Sequence, residues 1–127
     1  MIINTPVSLG ELIDKISILH IKNNNIKDEG KLKLVREELE VLNKTLDNHI
    51  KREEVQKYLD SLIDINSKLW VIENDIRDCE RKKIFDQRFI DLSRSIYFTN
   101  DKRSVIKLEI NNNFGSKLVE VKSYEEY

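Results

Sequence analysis

Helix-breaking residues are scarce in this chain, and their scarcity constrains the fold more than any other feature. Only three glycines and one proline occur among 127 residues. A fold of many strands needs many tight turns, which draw heavily on glycine and proline. The stretches between these residues instead carry apolar side chains at spacings of three and four, the repeat of an amphipathic helix. The pattern predicts an all-α single domain, residues 1–127, with about four helices in two antiparallel hairpins.

The first hairpin is predicted from two apolar stripes. Ser8-Leu9-Gly10-Glu11 has the pattern of a capping box, in which the Ser8 hydroxyl and the Glu11 carboxylate bind free amides of the first turn. A first helix is therefore predicted from Leu9 to about Asn23, and Asp28 caps a second. The two stripes consist of Leu9, Leu12, Ile13, Ile16 and Leu19, and of Leu32, Val35, Leu39, Leu42 and Leu46.

The second hairpin is predicted to be longer. A third helix extends from about Arg52 to Arg81, and a fourth begins after a cap at Asp86 and ends in the segment 111–115. Thr99-Asn100-Asp101 interrupts the apolar seam of the fourth helix with residues that favour caps and turns. The seam keeps the same register on both sides, which favours one continuous helix over a helix boundary. The two seams consist of Val55, Leu59, Leu62, Ile65, Leu69, Ile72 and Ile76, and of Phe85, Phe89, Leu92, Ile96, Ile106 and Ile110.

The helical repeat stops after Gly115. Residues 116–127 contain a short alternating segment from Leu118 to Val121, and a lone strand is only marginally stable. An edge strand, an extended arm and a disordered tail are all compatible with this pattern. We prefer an extended arm that packs on the helices, either of this chain or of a second subunit.

Charge and composition exclude several classes of function. The chain has 22 basic and 23 acidic residues and no long block of either sign, so nucleic acid is not an expected partner. A single cysteine, Cys79, excludes an internal disulfide and favours a reducing compartment. The N-terminus lacks the pattern of a signal peptide, and no apolar run is long enough to cross a bilayer. We therefore expect a cytoplasmic protein without a membrane partner.

Three of the predicted helices bring polar side chains to the edge of the presumed core. On the third helix an amide, an indole, an acid and a base follow one another at helical spacing, and on the fourth helix Thr99 and Arg103 take positions of the seam itself. The candidate site residues are Asp14, Lys15 and Lys22 on the first helix, Trp70 and Glu73 on the third, and Arg94, Tyr97, Asn100, Asp101 and Arg103 on the fourth.

This polar set has two interpretations. In the structural one, Arg94 or Arg103 pairs with an acidic member of the set and fixes the register of the bundle, because buried charges are tolerated when they are paired. In the functional one, Arg94, Arg103 and Lys107 line a pocket for an anionic group, and the amide and aromatic members orient it. The guanidinium fork of arginine matches carboxylate and phosphate groups.

No catalytic motif is present. The chain lacks a glycine-rich phosphate loop and a nucleophile with its base, and Cys79 on a helical seam is interpreted as a small core residue. The segment 36–40, REELE, is similar to the acidic helices of all-α nucleotide pyrophosphohydrolases but lacks their full spacing for magnesium. The start LGELIDKISILHIK has some similarity to chorismate mutases, but Ile13 or Asp14 stands where a basic residue is required. We therefore expect no metal and no cofactor.

Several segments together resemble a known family. PVSLGELIDKISILHIK, LWVIENDIRDCE and SIYFTNDKRSVIKLEIN, followed by GSKLVEVKSY, are similar to the motifs of a domain of unknown function in small proteins of bacteria and their phages. The similarity extends over nearly the whole chain. It implies a compact, mainly helical domain with no assigned catalytic residue, and a connection with genes for sugar transfer and surface polysaccharide. It also emphasises the candidate residues given above.

The sequence favours a small helical interaction or assembly module. An enzyme or a ligand-binding protein with an anion-recognising pocket between the helices is the alternative. Long helices around a small core leave apolar side chains uncovered, so we expect a homodimer with Val41, Val71 and Leu108 at its interface. A further protein partner and an anionic small molecule are the other partners considered.

Overall fold

The computed structural model describes all residues, Met1–Tyr127, and shows an all-α fold. Its four helices are α1 (Leu9–Asn25), α2 (Glu29–Asp47), α3 (Arg52–Lys82) and α4 (Gln87–Asn113). α1 packs on α2 and α3 packs on α4, and α1 also contacts both helices of the second hairpin. The predicted fold class is confirmed, and α1 is the element that joins the two hairpins.

Three of the helices begin at predicted side-chain caps. The side chains of Ser8, Asp28 and Asp86 each accept a hydrogen bond from the backbone N–H of the residue three positions later, with donor–acceptor distances of 3.1, 2.8 and 3.2 Å. The second half of the predicted capping box is wrong, because the Glu11 carboxylate binds the Lys107 ammonium at 2.8 Å instead of a first-turn amide. A hydrogen bond between two charged groups is stronger than one to a neutral amide.

α4 continues without a break through Thr99-Asn100-Asp101, as the register of its seam predicted. Lys83, which follows the last residue of α3, has a φ of 56°, and Gly115, two residues after α4, has a φ of 64°. Left-handed backbone of this kind is typical of the residue that follows a helix, and it favours glycine. The polar triplet therefore lies within a helix, where its side chains can face neighbouring elements.

The hydrophobic core lies where the N-terminal halves of α1 and α3 meet the C-terminal ends of α2 and α4. Gly10 lets α1 and α4 approach closely there, because a Cβ at this position would lie 2.6 Å from the carbonyl oxygen of Lys107. The Gly10 amide donates to Asn111 Oδ1 at 2.8 Å and fixes the register of the two helices. The central cluster consists of Leu12, Ile13, Ile16, Leu46, Val55, Leu59, Leu62 and Ile110.

The C-terminal tail, residues 116–127, has no regular secondary structure and lies against α1 and α4 of its own chain. Ser116 Oγ accepts the backbone N–H of Leu9 at 3.3 Å, and Glu120 reaches Lys107 on α4. The tail thus runs back along α4 as an extended arm.

Candidate functional site

A buried ion pair between α1 and α4 forms the centre of the polar cluster. Asp14 is 1% exposed and accepts from both arms of the Arg103 guanidinium, with Nε 2.9 Å from Oδ1 and Nη2 closer still to Oδ2. Asn66 on α3 donates its amide to Asp14 Oδ1 at 2.9 Å and to Ser17 Oγ at 2.8 Å. The hydrogen bonds that Arg103 donates to Asp14 raise the pKa of the Arg103 guanidinium. Three helices are therefore tied together by one carboxylate.

Lys107 lies one turn further along α4 and is surrounded by carboxylates. Its Nζ is 2.8 Å from Glu11 Oε2, 2.8 Å from Glu120 Oε2 and 3.9 Å from Asp14 Oδ2. Burial lowers the pKa of Lys107, but the hydrogen bonds to Glu11 and Glu120, together with the negative charges of Asp14 and Glu11, outweigh this effect, so the pKa is raised. The Lys107 hydrogen bond, with a second one from Lys122, lowers the pKa of Glu120 to about 2. Glu120 is the only carboxylate around Lys107 that comes from the tail.

A cleft of about 1050 Å³ lies between the tail and α4. On the α4 side it is lined by Tyr97, Asn100, Asp101, Arg103 and Lys107. The far wall belongs to the tail, where the Tyr127 hydroxyl donates to Asp101 and its ring packs against those of Tyr97 and Phe98. The remaining lining residues are Glu11, Ile96, Ser104, Glu120, Lys122, Tyr124, Glu125 and Glu126.

A smaller cleft of about 430 Å³ lies on the opposite side of Arg103, between α1, α3 and α4. Trp70 and Glu73 line it from α3, and Asn100 and Arg103 line both clefts. Arg103 Nη1 donates to Asn100 Oδ1 at 3.4 Å, so these two side chains form the partition between the clefts. Glu73 pairs with Arg77 on its own helix, at 3.5 Å, rather than with an arginine of α4.

The structure brings together most of the predicted site residues and separates three of them. Lys15 faces α2 and forms an exposed pair with Glu38 at 3.4 Å. Lys22 lies in the last turn of α1. Arg94 is exposed and lies over the Phe98 ring, outside both clefts. The residues that meet around the partition are Asp14, Trp70, Glu73, Tyr97, Asn100, Asp101 and Arg103.

Four residues that matter for this site are missing from the predicted set. Ser17 falls on the apolar stripe of α1, and a polar residue at such a position is the signal that could have identified it. Asn66 is the amide of the polar line on α3, but it is not among the candidate site residues. Glu11 was interpreted as a helix cap, which concealed its pairing with Lys107. Glu120 belongs to a segment without periodicity, so no sequence pattern places it against α4.

The two cations of the site differ in what they can still bind. The Arg103 fork is filled by Asp14, and both groups come from helices whose register is fixed. One of the partners of Lys107, Glu120, comes from a segment with no secondary structure.

Every buried side-chain polar atom has a hydrogen-bond partner. No group of three or more His, Cys, Asp or Glu side chains has a metal-binding arrangement.

Comparisons with known proteins add no assignment. No protein-family model, curated protein or solved structure matches this chain. None of the four helices combines the length and apolar character that a membrane crossing requires.

Proposed function

We propose that the protein is an interaction and assembly module that associates with a second copy of itself through the end of the α3–α4 hairpin. We define the hairpin tip as residues 75–94. The observation that carries the proposal is the exposure of this segment's side chains. Among its side chains only Cys79 is buried, while Ile84, Phe85 and Ile90 are exposed.

The lengths of the helices explain why the hairpin tip is uncovered. With a rise of about 1.5 Å per residue, the 31 residues of α3 span about 46 Å and the 17 residues of α1 only about 26 Å. Two helices alone bury one narrow stripe each, so Ile76, Phe89 and Leu92 remain half-buried. A second hairpin would complete a four-helix arrangement around these side chains.

The charges of the hairpin tip suit a second copy better than a strongly charged partner. Acidic and basic side chains are interspersed along it, and several are already paired within one helix, as Asp78 is with Arg81 and Lys82. A surface of mixed sign and near-zero net charge does not repel its own copy, and a two-fold axis can place its acids opposite its bases. Val71, which the sequence placed at a dimer interface, is exposed on α3 just before the tip. Val41 and Leu108 are exposed elsewhere, on α2 and near the end of α4.

Sedimentation velocity with a matched pair of variants tests this proposal. Ile90→Glu places a charge on the hairpin tip, and Leu34→Glu places the same charge on an exposed apolar position of α2. We expect the parent and Leu34→Glu to sediment as dimers of twice 15.1 kDa, and Ile90→Glu to sediment as a folded monomer. A monomeric parent at all concentrations, or equal dissociation of the two variants, would refute the proposal.

A further inference from the structure

The C-terminal tail is held on the helices by few contacts. Its last backbone hydrogen bond runs from Ser116 N to Asn111 O, and no backbone group beyond Ser116 bonds to a helix. The tail is anchored at Glu120 by the ion pair with Lys107 and at Tyr127 by its hydroxyl and ring contacts. A segment held by side chains alone can be released without breaking any secondary structure.

Open space flanks the anchor at Glu120 on both sides. The cleft of about 1050 Å³ lies on one side, and a further cleft of about 470 Å³ lies on the other, between Val105 and Leu108 of α4 and Val119 and Val121 of the tail. Close packing is the rule in protein interiors, so a tail bordered by two clefts is poorly packed along this stretch. The ion pair, rather than apolar burial, therefore holds the middle of the tail in place.

We propose that Lys107 binds the carboxylate or phosphate group of an external ligand, and that Glu120 occupies this position as an internal stand-in when the tail is docked. With the tail docked, Lys107 of α4 is only 7% exposed, and its ammonium keeps Glu11 as a partner on α1 when the tail leaves. An incoming oxyanion takes the place of the Glu120 carboxylate, so Lys107 has the same number of anionic partners before and after the exchange. The buried ammonium is never left with fewer partners than it has now.

The surroundings define the ligand further. Arg103 is committed to Asp14, and Lys122, the other lysine that pairs with Glu120, belongs to the tail and leaves with it. The site therefore offers one ammonium and no free guanidinium fork. A single oxyanion bound through one oxygen fits such a point charge. The body of the ligand would lie along Tyr97 and Asn100, in the space that the tail borders. This site lies away from the hairpin tip, so the inference goes beyond the proposed assembly function and does not depend on it.

Titration calorimetry with glutarate and with inorganic phosphate tests the inference on the full chain. Glu120→Gln removes the internal carboxylate, and Glu126→Gln removes the same charge from the same cleft without touching Lys107. When Glu120 covers the site, the apparent affinity is the intrinsic affinity multiplied by the fraction of molecules in which the site is free. We therefore expect Glu120→Gln to bind one of the probes about tenfold more tightly than the parent. Glu126→Gln should bind like the parent.

Tryptic cleavage after Lys122 reports release of the tail. We expect the effective probe to accelerate this cleavage in the parent, and sodium chloride at the same ionic strength to leave it unchanged. The inference is overturned if neither probe binds Glu120→Gln, if Glu126→Gln gains as much affinity, or if chloride accelerates cleavage equally. Adding Lys107→Met to Glu120→Gln should abolish the gained affinity in a protein that retains its circular dichroism spectrum.

Discussion

Replacing Arg103 with leucine removes the one partner that binds the buried Asp14 carboxylate through two hydrogen bonds. Breaking a buried pair in this way costs about 3–5 kcal/mol, because the other charge stays buried without compensation. Three features place the expected cost at the lower end. The Arg103 side chain is 26% exposed, and Lys107 Nζ already lies 3.9 Å from Asp14 Oδ2 and can move closer. Asn66 also keeps its hydrogen bond to the carboxylate.

We therefore expect Arg103→Leu to lower the free energy of unfolding by about 3 kcal/mol, since partial exposure and a nearby ammonium reduce the penalty of the broken pair. For a domain of this size the loss corresponds to a fall in Tm of roughly 10–15 °C. Urea unfolding followed by circular dichroism measures the first quantity, and calorimetry measures the second.

Arg77→Leu is the matched control, because its exposed pair with Glu73 on α3 should contribute only about 0–1 kcal/mol. The double variant Asp14→Leu/Arg103→Leu removes both buried charges and should lose less stability than the two single losses added together. The reasoning is refuted if Arg103→Leu costs no more than Arg77→Leu. Strict additivity of the two single changes in the double variant would also contradict it.

Two further predictions concern the helix contact and the tail. Gly10→Ala should destabilise the protein by about 1–3 kcal/mol in urea unfolding, because the added Cβ meets a backbone carbonyl of α4. Gly30→Ala is the control and should have little effect, because its Cβ meets only a flexible carboxylate oxygen at 3.3 Å. The pKa of Glu120 is lowered from 4.5 to about 2 by its lysine partners, so its contribution to stability is complete above pH 4.5 and is lost as the pH falls towards 2. The Tm difference between the parent and Glu120→Gln should therefore be constant from pH 7 to pH 5 and shrink below pH 4.5; a difference that grows on acidification would contradict the assignment.

The sequence predicts the helices well because local signals determine them. Ser8, Asp28 and Asp86 cap where they were expected to cap, and the matching register across Thr99-Asn100-Asp101 identified one continuous α4. These features depend on neighbouring residues along one helix, which a single sequence contains. Helix number and helix ends followed from them.

The site was predicted only in part, because its contacts join residues that are far apart in the chain. Helical spacing placed Thr99 and Arg103 on the apolar seam of α4. It could not tell how far α1 extends along α3 and α4. Arg94 has the same kind of spacing and lies outside both clefts. Glu120 approaches Lys107 from a segment with no repeat, so this contact depends on tertiary structure alone.

Hydrogen exchange at two protein concentrations tests the assembly claim most directly, because it locates the interface as well as detecting it. We expect amides of the hairpin tip, residues 75–94, to exchange more slowly at the higher concentration, while those of α2 exchange at the same rate at both. Ile90→Glu should abolish the difference. Equal exchange of the hairpin tip at both concentrations, or concentration-dependent protection confined to α2, would contradict the account.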